Sequence, residues 1–179
     1  QAPQQVIAKL EDQLGVSNVD EIIDAADGIM IARGDLGIEC PYEELPIIQR
    51  RVVKHCIRQG KPVIVATHML ESMIKSPSPT RAEITDVANA VFEQADAIML
   101  SGETSVGKYP VKCIEIMDRV ARRIERSGGA GYGAEVAPYD DYGEMVKSAC
   151  RLAAEVDATG LIVFTETGRT ARYTAWHRP

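Results

Sequence analysis

Residues 28–37 read GIMIARGDLG. An apolar run suited to burial ends abruptly in Arg33-Gly34-Asp35, and the reading of that junction decides the fold. One reading makes the tripeptide an exposed adhesion loop. The other makes it the polar rim of a buried strand, with Asp35 facing a ligand. Three further apolar runs share the design: VIAKL (6–10), PVIVAT (62–67) and AIML (97–100). Each passes through a polar or glycine-bearing turn into sequence of helical period. The helical stretches are NVDEIIDAA (18–26), YEELPIIQRRVVKHCIRQGK (42–61), TRAEITDVANAVFEQAD (80–96) and VKCIEIMDRVARRIERS (111–127). In the second, Ile47, Ile48, Val52, Val53, Cys56 and Ile57 are expected on one stripe, with Gly60 as the stop. In the third, Thr80 and Glu83 form a capping box.

Strands that are apolar throughout and alternate with helices imply an α/β fold with a parallel, helix-covered sheet. Four such units make half of an eight-unit barrel or most of an open doubly wound sheet. No GxGxxG opens a helix after the first strand, which weakens a dinucleotide-binding version. Every strand ends in polar residues: Lys9 and Glu11, Gly34 and Asp35, Thr67 and His68, Ser101 and Glu103. In a barrel those ends share one rim, where active sites lie. The stretch 127–143, SGGAGYGAEVAPYDDYG, breaks the rhythm and reads as a linker. After it, 144–157 is expected to be helical, 160–168 a strand and turn, and 169–179 a further helix. The expected division is therefore 1–126, a first α/β unit; 127–143, a linker; and 144–179, the opening of a second α/β domain.

With 45% apolar and 26% charged residues, the 179-residue chain has an ordinary globular composition. A formal charge of −6 argues against nucleic acid as a general partner. No apolar run is long enough to span a bilayer, so no membrane is expected either. Cys40, Cys56, Cys113 and Cys150 are irregularly spaced and away from the three histidines, which favours buried free thiols in a reducing compartment over disulfides or zinc.

Lys9 and Glu11 sit two apart on one strand and so face the same way. Alone, they would be a surface pair of at most about 1 kcal/mol. Asp35 changes the balance, because two carboxylates on neighbouring strand ends repel unless a positive charge lies between them. Mg²⁺ suits such a pair, completed by water and substrate oxygens. Lys9 would then be the mobile cation facing a phosphoryl group. Gly34 lets backbone N–H groups approach an anion, or is a plain turn glycine. Arg33 is either a ligand or a structural ion-pair partner. Thr67 and Ser101 are more commonly caps or turn residues than catalytic groups, and His68 more commonly a structural histidine.

The stretches IAKLEDQLGVSNVDEI (7–22), DGIMIARGDLGIE (27–39), GKPVIVATHMLESMIKSPSPTRAEITDVANAV (60–91) and DAIMLSGETSVGKYPVKCIEIM (96–117) together resemble the pyruvate kinase family. The resemblance implies strands five to eight of a TIM (β/α)8 barrel, followed by the start of the regulatory α/β domain. It implies phosphoryl transfer from phosphoenolpyruvate to ADP, giving pyruvate and ATP, in a cytoplasmic glycolytic enzyme that is a homotetramer. By motif, Lys9 neutralises the phosphoryl in flight, and Glu11 and Asp35 bind Mg²⁺ or Mn²⁺. Gly34 and Asp35 lend N–H groups to the substrate carboxylate, Thr67 bonds the same region, and Ser101 belongs to the proton-delivery network. His68 departs from the family, which commonly has Gln or Asn there. TETGRTARYTAWHRP (165–179) resembles the start of the C-terminal domain. Its Thr165, Thr167, Gly168, Arg169 and Thr170 match a loop that grips an effector's phosphate, with Glu166 adding a negative charge among them.

The family's substrate arginine and K⁺ ligands lie in the first half of the barrel, outside these residues, so the isolated 179-residue chain is expected not to turn over. Three rivals remain. One is another Mg²⁺-dependent, enolate-forming barrel lyase or aldolase acting on pyruvate-class substrates. The second is an adhesion module using Arg33-Gly34-Asp35, and the third is a non-catalytic remnant, which the joint presence of Lys9, Glu11 and Asp35 argues against.

Overall fold

A computed structural model describes residues 4–138 and 140–179. Four strands, β1 (Ile7–Leu10), β2 (Gly28–Ala32), β3 (Val63–Ala66) and β4 (Ala97–Met99), form one sheet in the order β1-β2-β3-β4. All pairings are parallel, with Leu10 aligned to Ile31, Ile31 to Val65 and Val65 to Ile98. Parallel neighbours need a crossover, and the helices provide it. These are α1 (Gln13–Ser17), α2 (Val19–Ala25), α3 (Arg33–Glu39), α4 (Leu45–Arg58), α5 (Arg81–Phe92), α6 (Gly102–Ser105) and α7 (Pro110–Glu125). The α/β alternation read from the sequence is the observed one.

The two faces of the sheet differ. Leu10, Ile29, Ile31, Val63 and Val65 point to the helix side and are fully buried. Ile7 and Lys9 lie on the other face and are exposed, beside half-buried Met30 and Ile64. The helix side holds the main core, joined by Val52, Val53, Cys56 and Ile57 of α4, Val87 and Ala90 of α5, and Cys113 and Ile116 of α7. On α4 the buried stripe is Gln49, Val52, Val53, Cys56 and Ile57, whereas Ile47 is 60% exposed. Half-buried Ile48 packs against the same core, so of the expected stripe only Ile47 falls off the face, while spacing of three and four residues back from Val52 and Val53 brings Gln49 onto it.

At the start of the strands, two aspartates extend the ladder. Asp27 accepts from the Val6 N–H at 2.8 Å, and Asp96 accepts from the Val63 N–H at 2.9 Å. At the opposite end, the capping box opens α5: the Glu83 N–H donates to Thr80 Oγ1 at 3.3 Å and the Thr80 N–H to Glu83 Oε2 at 2.7 Å. Glu83 also accepts from the Ser72 N–H and hydroxyl, tying a short 3-10 turn (Glu71–Ile74) to the helix start. Burial would raise this carboxyl, but the Ser72 and Thr80 donors outweigh it and hold it below its ordinary range.

Residues 127–138 dock along the helices that cover the sheet. Their 3-10 turn (Tyr132–Glu135) sends Glu135 to Lys54 and Arg58 of α4, and the Tyr132 N–H donates to Gln94. Beyond it, α8 (Asp141–Glu155) and α9 (Arg169–Trp176) enclose a small second cluster of Val146, Cys150 and Tyr173. The strand expected within 160–168 is not formed: Ile162 and Phe164 are 89% and 90% exposed and make no ladder. A strand is a pairing rather than a local conformation, and no partner lies beside these residues among those described.

Gly60 closes α4 in a Schellman arrangement, with the Lys61 N–H on Cys56 O at 2.8 Å and the Gly60 N–H on Ile57 O at 3.0 Å. Its φ is +62°, and a Cβ there would lie 2.3 Å from the Trp176 ring of α9. Gly60→Ala should therefore destabilise the chain by about 1–3 kcal/mol. Urea unfolding followed by the fluorescence of Trp176, the single tryptophan, measures it.

Burial, with the Asp96 charge adding to it, pushes the Cys56 thiol from 9.0 up to about 12. Below pH 9 both folded and unfolded chains keep this proton, and the full stabilisation is present. Between 9 and 12 only the unfolded chain releases it, so stability should fall with rising pH by about 1.4 kcal/mol per unit from this thiol. Denaturation midpoints across that window, compared with those of Cys56→Ala, read out the difference in slope.

Candidate active site

The polar strand ends converge as the α/β pattern requires. Lys9 is the third residue of β1, Glu11 follows the strand, and Asp35 stands in the first turn of α3. The Lys9 ammonium bridges the two carboxylates, hydrogen-bonded to Glu11 and 2.9 Å from Asp35 Oδ2. All three side chains are about half exposed. The bond to Glu11 and then that to Asp35 raise the Lys9 pKa, so the lysine is a permanent cation at any physiological pH.

Helix α3 starts without a loop: Ala32 ends β2 and Arg33 begins the helix. Gly34 allows this junction to press against the end of β3. Its N–H donates to Thr67 Oγ1 at 2.6 Å, and a Cβ would meet that oxygen at 3.2 Å and His68 Cε1 at 3.3 Å. Thr67 and His68 both take left-handed conformations, φ 68° and 53°. Such a backbone is costly, about 1–3 kcal/mol per residue, and most so for β-branched Thr.

Arg33 holds that turn in place. Its guanidinium donates to Thr67 O at 2.6 Å, Ala66 O at 3.3 Å, Asp86 Oδ1 at 2.6 Å and Gln49 Oε1 at 3.3 Å, and it contacts Met69 Sδ at 2.7 Å. Only 11% of its side chain is exposed. Arg33 is thus a structural ion-pair partner beneath the turn. An adhesion tip would present this side chain to solvent, so the Arg33-Gly34-Asp35 rival fails on geometry.

Ser101 lies two residues past β4, at the N-cap position of α6. Its N–H donates to Glu103 Oε2 at 2.8 Å, while Glu103 Oε1 accepts from the Leu70 N–H at 3.1 Å. Glu103 is buried and fastens the turn after β3 to the turn after β4. The Ser101 hydroxyl makes no hydrogen bond among the described residues. His68 is exposed, with Glu71 at 3.8 Å.

Lys9, Glu11 and Asp35 are therefore in direct contact, Gly34 and Thr67 are in contact with each other, and Ser101 shares the rim through Glu103. The sequence alone gave no role to Asp86, Gln49 or the Glu103 carboxylate as a clasp. A charged residue at helix interior spacing beside apolar neighbours, as in EITDVANAV, was the available signal for Asp86.

The candidate phosphate loop is occupied by internal bonds. Thr165 Oγ1 accepts from the Gly168 N–H at 2.9 Å, and Thr170 pairs with the Tyr142 hydroxyl. Arg169 is bound to Asp140 and stacks over Tyr142 and Tyr173. Thr167 lies in the exposed turn just before α9.

Two half-exposed carboxylates joined through one lysine make a hard oxygen donor set, the type that takes Mg²⁺. Among the described residues no cluster of three or more His, Cys, Asp or Glu is arranged around a metal. Water and substrate oxygens would complete the shell, as Mg²⁺ prefers.

The family model described as pyruvate kinase, barrel domain, matches residues 2–114. The chain belongs to the pyruvate kinase family. It is 45% identical to the pyruvate kinase of Sporosarcina psychrophila over 179 residues, covering 98% of this chain and 30% of that protein. The pyruvate kinase of Clostridium acetobutylicum is 43% identical, over 98% of this chain and 38% of its own length. A crystal structure of a pyruvate kinase from Cryptosporidium parvum superposes with a TM-score of 0.92 at 44% identity, covering 98% of this chain and 37% of that one. The chain thus spans 30–38% of these pyruvate kinases. The matches give no support to the lyase or aldolase reading.

Arg33→Met should cost about 2–4 kcal/mol of stability, because Asp86 and the Thr67 carbonyl lose a charged partner at once. Arg33→Lys should fall between, since an ammonium cannot reproduce the planar fork. Equal denaturation midpoints for all three proteins would remove Arg33 from the clamp.

Proposed function

We propose that this chain supplies strands five to eight of a pyruvate kinase barrel, with residues 144–179 opening the C-terminal domain. In that setting it takes part in phosphoryl transfer from phosphoenolpyruvate to ADP, giving pyruvate and ATP, in the cytoplasm and within a homo-oligomer. The observation that carries the reading is Lys9 held between Glu11 and Asp35 at the strand ends. A permanent cation beside two oxygen donors is what a transferring phosphoryl group needs, because the chemistry is chiefly positioning and charge stabilisation. The outer positions of β1 and β4, each with a strand on one side alone among the described residues, agree with pairing to further barrel strands.

Glu11 and Asp35 would hold Mg²⁺, which when bound polarises the carboxylate and enolate oxygens of the substrate. Lys9 would face the phosphoryl as its bond to the enolate oxygen breaks and its bond to the ADP oxygen forms. The charge of Lys9 matters most in that loose transition state, where it would turn from its two carboxylates toward the phosphoryl oxygens. The Gly34 N–H is spent on Thr67 Oγ1, so offering it to the substrate carboxylate requires the hydroxyl to change partners. The Asp35 N–H needs no such exchange in this reading. Thr67 would bond the same carboxylate, held there by its left-handed backbone and by Arg33 below it. Ser101, with its hydroxyl not engaged, would relay the proton that converts enolate to pyruvate.

The test uses the full-length enzyme carrying these residues, in a coupled assay of pyruvate formation. Lys9→Met should lower kcat at least about a hundredfold while KM for phosphoenolpyruvate changes only a few-fold. Unchanged turnover would remove Lys9 from the mechanism. Asp35→Asn should raise the Mg²⁺ concentration for half-maximal rate at least about tenfold, with lower kcat. An unaltered Mg²⁺ dependence would sink the metal assignment.

A further inference from the structure

Away from the rim, the last two turns of α7 carry Arg119, Arg122 and Arg123, with Arg126 at the C-cap. Their spacing of three, four and seven residues puts all four on one face of the helix. Each is exposed. Arg122 is held by Asp118, with Nε 2.8 and 2.9 Å from the two carboxylate oxygens. The other three have no acidic partner among the described residues. Four guanidiniums therefore stand against Asp118 in direct contact and Glu125 more distantly, an excess of cations on a chain whose formal charge is −6.

Structural needs do not account for this face. Where the chain uses cations to hold elements together, it pairs them: on α4, Arg50 meets Glu93, Arg51 meets Asp20, and Lys54 and Arg58 both meet Glu135. Cations near a helix C-terminus are favoured by the helix dipole, which covers the residues closest to Glu125. Arg119 lies beyond the reach of that effect, and every like-charge pair at this spacing repels. The arginines thus weaken the helix unless an anion joins them.

The shape of the face adds a second observation. Asp118 and the four arginines line a shallow cavity of about 420 Å³, the scale of a small ligand rather than of a macromolecular groove. Guanidiniums clamp phosphate oxygens in pairs, and the four span about 10 Å along the helix axis, enough to meet separate phosphate groups on successive turns. Glu125 and Gly128, just beyond, share a cleft with Asp96 and Ala97 at the start of β4. The arginine face therefore lies at the end of the sheet opposite Lys9 and Asp35.

We propose that this face of α7 binds a small anion carrying several phosphate groups, at a site separate from the strand-end rim. The inference stands on the α7 surface and does not depend on the proposed reaction. Inorganic tripolyphosphate is the probe, titrated calorimetrically at low salt against the chain, with orthophosphate and poly-glutamate as comparison ligands. Tripolyphosphate should bind at least about tenfold more tightly than orthophosphate or poly-glutamate, with an affinity that falls as salt rises. The triple variant Arg119→Gln, Arg123→Gln, Arg126→Gln should lose at least about tenfold in that affinity, whereas Lys9→Met should keep it. The triple variant should also match or exceed the parent in Tm without ligand, because like-charge repulsion is relieved, which shows that it folds. Equal tripolyphosphate affinity in the triple variant, loss of binding in Lys9→Met alone, no preference over orthophosphate or poly-glutamate, or no measurable binding would each overturn the proposal.

Discussion

The Arg33 guanidinium under the end of β3 is the contact on which the candidate site depends. Thr67 and His68 would not hold left-handed conformations on their own preferences. A buried fork donating to the Ala66 and Thr67 carbonyls, itself anchored by Asp86 and Gln49, holds them there. With the turn fixed, the Thr67 hydroxyl faces the Gly34 N–H, and α3 starts at the last residue of the strand. That start places Asp35 within reach of Lys9. Packing, backbone strain and side-chain placement are therefore one connected arrangement, running from α5 through Arg33 to Asp35 and its ion pair with Lys9.

A second fastening works in parallel. Buried Glu103 takes one N–H from the turn after β3 and one from the turn after β4. A carboxylate with both oxygens satisfied by backbone donors is stable in the interior where a free one is not. Together, Arg33 and Glu103 join the last three strand ends into one rigid rim, while Lys9 on the edge strand remains half exposed.

The arginine face of α7 is built on the contrary principle. Cations there outnumber their partners, on a helix whose buried side, Cys113, Ile116 and Met117, already fixes its place in the core. The amphipathic pattern leaves the outer face free to carry residues that contribute nothing to folding, and such a face records other demands.

Much of this was legible from residue order. Short Val- and Ile-rich runs alternating with helical periods specify a parallel sheet under helices, because each pattern buries its apolar side in only one way. TRAE specified a capping box, the G after HCIRQ specified a helix stop, and the shared polar strand ends located the rim. What the sequence could not contain was any partner far along the chain. Arg33 read equally well as ligand or clamp until Asp86, 53 residues away, was seen to hold it. Ile162 and Phe164 read as strand, yet a strand exists only beside another, and none is there among the described residues. Periodicity and local propensity are properties of neighbours in sequence, so they fixed the elements and the rim; hydrogen bonds and charge pairs between distant segments are properties of neighbours in space, and only the tertiary structure assigned them.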